Sequence, residues 1–333
     1  MRGEPESHQP PTMPAPPTHL YMLPFDHRSS FEHGLFGWRG RPTIQHTAQV
    51  IAAKQVIYEA LLQAIAEGVP RDRAALLVDE EYGREILADA RARGLITACP
   101  VEKSGQAEFE LEHGDAFAVH IETMDPTYCK VLVRYNPRGD AAVNQRQAER
   151  LRRLSAYLHH AGRRFLFELL VPAEPAQLVQ VAHDPQLYDR TLRPALTAAA
   201  IRELQDTGIE PDVWKLEGFE RREDCVAVAE IAQRDGRGAV RCIILGRHAE
   251  AARVHGWLAI AATVPSFVGF AVGRSTFWDP LRELLTSRTR RPQAVATIAR
   301  TYRGWVETWE TARGERGERA RDVQSQSDRQ TLR

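Results

Sequence analysis

The stretch DVWKLEGFE, residues 212–220, sets Lys215 in the middle of an apolar run that reads as an interior strand, with Glu217 two residues further on. Burying an unpaired ammonium disfavours its charged form. An interior lysine is therefore drawn toward the neutral, nucleophilic amine that forms Schiff bases with carbonyl substrates. Side chains alternate along a strand, so Lys215 and Glu217 share the inner face while Trp214 and Leu216 point under the helices. Glu168, in RFLFELLVP, is placed to relay protons during carbinolamine dehydration and carbon–carbon cleavage. Lys130, in CKVLVRYNP, supplies a second cation that would help keep Lys215 neutral. On its own the lysine also reads as half of a structural ion pair with Glu217 or Glu168. What adds weight is the segment GFAVGRSTFWDP. There Gly273 lets backbone N–H groups approach a phosphate, Arg274 offers it a planar fork, and Ser275 follows; Gly246 and Arg247 would add to the same site.

Other polar residues fall where strands should end. Asp26-His27-Arg28 closes the first apolar run and Asp79-Glu80-Glu81 the second. The first trio supplies candidates for substrate contact by its strand-end position; the acidic trio reads as a substrate hydroxyl contact or a salt bridge rather than a magnesium site. The twelve histidines show no ligand spacing at strand ends, and no GxGxxG turn follows the first strand, so neither a metal nor a dinucleotide cofactor is expected.

These residues need a scaffold that aims them at one place. Apolar runs begin at HLYMLPFD, AALLVDEEY, LITACPVE, CKVLVRYNP, RFLFELLVP, DVWKLEGFE, AVRCIILGR and FVGFAVGRSTFWDPL, and amphipathic segments alternate with them. Eight strand and helix units predict a single-domain α/β fold, a (β/α)8 TIM barrel, whose site lies at the carboxyl ends of the strands. The pattern predicts a proline-rich flexible leader over 1–18, the barrel over 19–311 and a polar tail over 312–333.

Lys plus Arg equals Asp plus Glu at 44 each, which removes the electrostatic case for nucleic acid or an anionic membrane as partner. The four cysteines are scattered, as expected of reduced thiols in a cytoplasmic protein. Association through outer helices into a homo-oligomer is open to such a barrel.

The motifs PFDHRSSF, LVDEEYG, KVLVRYNP, FLFELLVP, VWKLEG and GFAVGRSTFWDPL run in order from residue 20 to about 310. In them the sequence resembles the class I aldolases of the tagatose-bisphosphate aldolase superfamily. It looks closest to the aldolase domain of myo-inositol catabolism, here expected as a stand-alone version without the kinase. The resemblance implies cleavage of 2-deoxy-5-keto-gluconate 6-phosphate to dihydroxyacetone phosphate and malonate semialdehyde. It implies Lys215 as the Schiff-base lysine with Glu168 and Lys130 assisting, Arg274 and Gly273 on the phosphate, and Asp26 and His27 at the substrate end. Two departures stand out: Lys130 lies near the start of its strand, and PFDHRSSF has serine where the family more often has glycine. Related barrels cleave tagatose 1,6-bisphosphate or a sulfonated fructose phosphate with the same lysine, and no residue selects among these substrates. A non-catalytic barrel that binds a sugar phosphate is the alternative of a different class.

Overall fold

The computed structural model describes residues 17–38, 40 and 42–315. The strands are β1 (Leu20–Pro24), β2 (Ala74–Leu77), β3 (Ile96–Pro100), β4 (Tyr128–Arg134), β5 (Arg164–Leu170), β6 (Val213–Glu217), β7 (Arg241–Leu245) and β8 (Phe267–Ala271). Each pairs in parallel with the next, and β8 pairs back onto β1 to close the barrel. The helices are α1 (Ile44–Ala66), α2 (Glu80–Ala92), α3 (Phe117–Met124), α4 (Ala141–His160), α5 (Pro175–Gln180), α6 (Pro185–Thr191), α7 (Arg193–Asp206), α8 (Arg222–Ala232), α9 (Ala251–Ala262), α10 (Arg274–Leu285) and α11 (Arg291–Arg313). No helix among the described residues is long and apolar enough to cross a membrane.

The period of two along each strand divides the core. Leu20, Met22, Ala75, Leu77, Ala98, Leu166, Val213 and Ile243 fill the barrel interior, while Phe165, Phe167, Trp214 and Leu216 belong to the larger layer beneath the helices. Lys215 is thus on the inner face, as the alternation required.

Three local features depart from the sequence expectation. The segment between β5 and β6, read as a long loop and one helix, holds α5, α6 and α7. Pro175, Pro185 and Pro194 each sit in a first helical turn, where a missing N–H costs nothing. Pro194 also breaks the continuity with α6. The residues read as the far end of the eighth strand turn into α10 from Arg274 onward, behind Gly273 as N-cap. Finally, α11 continues through Arg313 and ends on Gly314 in the left-handed region, φ 83°. Most of the expected leader and tail, residues 1–16 and 316–333, lie outside the described residues.

Candidate active site

Three neighbouring strands build the centre of the site. The register sets Leu132 of β4 opposite Glu168 of β5 and Glu168 opposite Lys215 of β6. Lys215 Nζ lies 2.8 Å from Glu168 Oε2, and Lys130 Nζ lies 3.0 Å from the same oxygen. Lys130 also reaches Asp26 Oδ2 at 2.8 Å and Glu102 Oε1 at 2.7 Å. Its low position on β4 is made good by the length of its stem, which carries the ammonium up to acids arriving from the β1 and β3 ends. All three central side chains are almost fully buried.

The electrostatics follow from this packing. Burial works against the Lys130 charge, but Asp26, Glu102 and Glu168 outweigh it and hold its pKa well above the ordinary lysine value. Lys130 is thus a cation whose charge is matched by carboxylates, and Glu168 Oε2 lies within bonding distance of both amines. Burial likewise raises the carboxyls, yet Lys130 and Lys215 bring Glu168 below its usual range, and Lys130, His27 and Lys215 do the same for Asp26. Glu102 goes the other way, since burial and the neighbouring Asp26 outweigh Lys130 and Arg28, and its Oε2 has no hydrogen-bond partner. Burial, with Arg274 and Lys215 adding to it against the pull of Asp26, lowers the His27 imidazole to about 3, so it is neutral near pH 7. Its Nδ1 is also unpartnered.

Above this centre opens a cavity of about 650 Å³, lined by eleven of the twelve residues singled out in the sequence. That is within the range of small-molecule sites. Arg274 lines it and makes no hydrogen bond or ion pair among the described residues; burial lowers its pKa, with Glu168 and Asp26 opposing, and the guanidinium stays charged. Gly273 packs so closely that a Cβ there would sit 2.4 Å from the Pro24 carbonyl oxygen, and one on Gly246 would sit 2.9 Å from Val272. Both glycines therefore allow the backbone approach that brings the α10 N-terminus to the cavity.

The remaining expected ligands are already engaged. Arg247 pairs with both Asp189 oxygens at 2.8 and 2.9 Å and with Glu217 at 3.1 Å. Two carboxylates thus neutralise an arginine assigned to the phosphate. Ser275, the exception in the lining, donates its hydroxyl to the Ala249 carbonyl at 2.9 Å. Glu217 accepts from the Val171 N–H at 3.0 Å, and Arg28 binds the Glu102 carbonyl at 2.6 Å and Glu112 at 2.7 Å. Arg247, Glu217 and Arg28 shape the walls, Ser275 lies behind them, and Arg274 is left with the open guanidinium.

Sequence reasoning passed over Glu102, Tyr188 and Asp189, which all line the cavity. Glu102 follows β3 as Asp26 follows β1, so the strand-end rule would have found it. Asp189 lies in α6, in the helical stretch before β6, away from any strand end. Two members of the acidic trio after β2 part ways: Asp79 caps α2 at the Tyr82 N–H (2.8 Å) and pairs with buried Lys54. Glu80 meets His113 and His120, outside the cavity, in the one grouping of metal-ligating side chains among the described residues.

A closed parallel barrel with convergent lysines and carboxylates at the carboxyl ends of its strands defines a TIM barrel whose architecture is compatible with an enzyme. The chain belongs to the DUF2090 family, described as an uncharacterized protein conserved in bacteria, whose model matches residues 6–313. No curated protein matches it. Among solved structures it is similar to Cgl0159 from Corynebacterium glutamicum, with 17% identity over 86% of this chain and 85% of that one and a TM-score of 0.51, a likeness of fold alone.

Proposed function

We propose that this protein is a class I aldolase whose Lys215 forms a Schiff base with a phosphorylated keto-sugar acid. The observation that carries the reading is the buried Lys215 amine on the inner face of the barrel, 2.8 Å from a carboxylate that a second lysine also holds. Resemblance of the strand motifs to the inositol-pathway aldolases supplies the substrate, 2-deoxy-5-keto-gluconate 6-phosphate, and the products, dihydroxyacetone phosphate and malonate semialdehyde. The four free, buried cysteines accord with a cytoplasmic setting.

In this chemistry Lys215 Nζ adds to the keto carbon, and the carbinolamine hydroxyl leaves as water to give the iminium. A base then removes the proton from the hydroxyl β to the iminium carbon. The carbon–carbon bond breaks, the aldehyde departs, and the electron pair remains on nitrogen and carbon as the enamine. Protonation at carbon and hydrolysis release dihydroxyacetone phosphate and restore the lysine. Glu168 is the proton carrier within reach of that nitrogen, and Lys130 fixes it from the other side. Arg274, at the start of α10, takes the phosphate.

Borohydride reduction in the presence of dihydroxyacetone phosphate, followed by peptide mass spectrometry, tests the proposal. A reduced triose phosphate adduct on the Lys215 peptide is expected. Binding without an adduct would instead favour a barrel that holds sugar phosphates without reacting. A panel of phosphorylated keto acids and ketoses, including tagatose 1,6-bisphosphate and a sulfonated fructose phosphate, assayed for triose release then separates the substrates.

A further inference from the structure

We infer that Glu80, His113 and His120 form a binding site for a divalent transition-metal ion of the zinc class on the flank of the barrel. Glu80 opens α2, His113 lies in the segment between β3 and α3, and His120 lies in α3. His113 Nε2 is 3.2 Å from Glu80 Oε2, His120 Nδ1 is 3.0 and 3.1 Å from the two Glu80 oxygens, and the three ligand atoms lie within 4.8 Å of one another. Zinc bonds of about 2.0–2.2 Å place tetrahedral ligand atoms about 3.3 Å apart, close to the Glu80–imidazole distances here, so sharing an ion asks mainly for reorientation of the two rings. The donor set selects the metal. Two imidazoles and one carboxylate suit zinc and its neighbours, whereas magnesium and calcium take oxygen ligands. Three protein ligands also leave a fourth position for water.

The surroundings support such a site. Arg84 Nη2 holds Glu80 Oε1 at 2.6 Å and orients the carboxylate from outside. The two rings stack with centroids 3.3 Å apart and planes 3° from parallel. Coordination of one ion by both requires the planes to tilt, and side-chain exposures of 33% and 36% leave them room. An ion here would tie α2 to the segment between β3 and α3. That segment walls the cavity: Glu112, next to His113, pairs with Arg28, which holds the Glu102 carbonyl. The site would therefore steady one wall of the cavity without entering it, independently of the chemistry proposed for Lys215.

The test uses the full chain without a polyhistidine tag, stripped with chelator and titrated with Zn²⁺ by calorimetry and with Co²⁺ by visible absorption. Binding of one Zn²⁺ per chain, intense Co²⁺ bands of tetrahedral type and a rise in the unfolding temperature with Zn²⁺ are expected. Glu80→Gln and the double variant His113→Ala/His120→Ala should lose all three responses, while His159→Ala/His160→Ala on α4 should keep them. Unfolding temperatures measured in chelator establish that each variant folds. Should the parent chain bind Zn²⁺ no more tightly than the folded His113→Ala/His120→Ala protein, the cluster is a hydrogen-bonded surface group and the inference fails.

Discussion

At the scale of single residues, the site depends on which charges are matched. Glu168 faces two lysine side chains, so Glu168→Gln removes the proposed proton carrier and the carboxylate shared by Lys130 and Lys215. Turnover is expected to fall by about 10²–10⁴-fold, the usual contribution of a positioned acid–base group, as measured by triose phosphate release. If Arg274 holds the remote phosphate as proposed, Arg274→Ala should raise KM far more than it lowers kcat; an unchanged KM would remove it from the site. His27 predicts a pH effect with a definite sign. Its pKa is about 3 when folded against 6.5 for the free side chain, so as pH falls the unfolded chain takes up the proton first. Stability present above about pH 6.5 is therefore lost as pH drops below that value, and Asp26 and Glu168, both depressed, extend the loss below the ordinary carboxylate range near 4. Urea midpoints between pH 7 and 5 should flatten in His27→Asn, and an unaltered slope would contradict this account.

At the scale of elements, short connections do the positioning. Asp79 both caps α2 and receives Lys54 from α1, so one carboxylate fixes a strand end, a helix start and a neighbouring helix. Lys54→Met strands that buried charge and is expected to cost about 3–5 kcal/mol in chemical unfolding. Gly273→Ala should disturb the contact of β1 with α10, since its methyl group would meet the Pro24 carbonyl; weaker phosphate binding together with a lower unfolding temperature is the outcome to look for. The legibility of the chain also divides along elements. Strands were readable because apolar runs and alternation are local properties, and the interior placement of Lys215 followed from period alone. That Arg247 and Ser275 are already engaged was not readable, because their partners Asp189 and Ala249 lie 58 and 26 positions away. The same holds for His113 and His120, which are 33 and 40 positions from Glu80.

At the scale of the whole molecule, closure keeps these distances. α11 packs against α1, α9 and α10, and its Tyr302 hydroxyl donates to the Tyr21 carbonyl of β1 at 2.6 Å, joining positions 281 apart. Tyr302→Phe should cost about 1 kcal/mol, whereas Trp309→Ala, which empties a fully buried position of the same helix, should cost about 3–5 kcal/mol by calorimetry. The closed ring has a further consequence for Glu168. Both amines grip Oε2, and Oε1 has no hydrogen bond among the described residues of a side chain that borders the cavity. The acid is thus moored through one oxygen between the lysines of two flanking strands, and its second oxygen is left untethered.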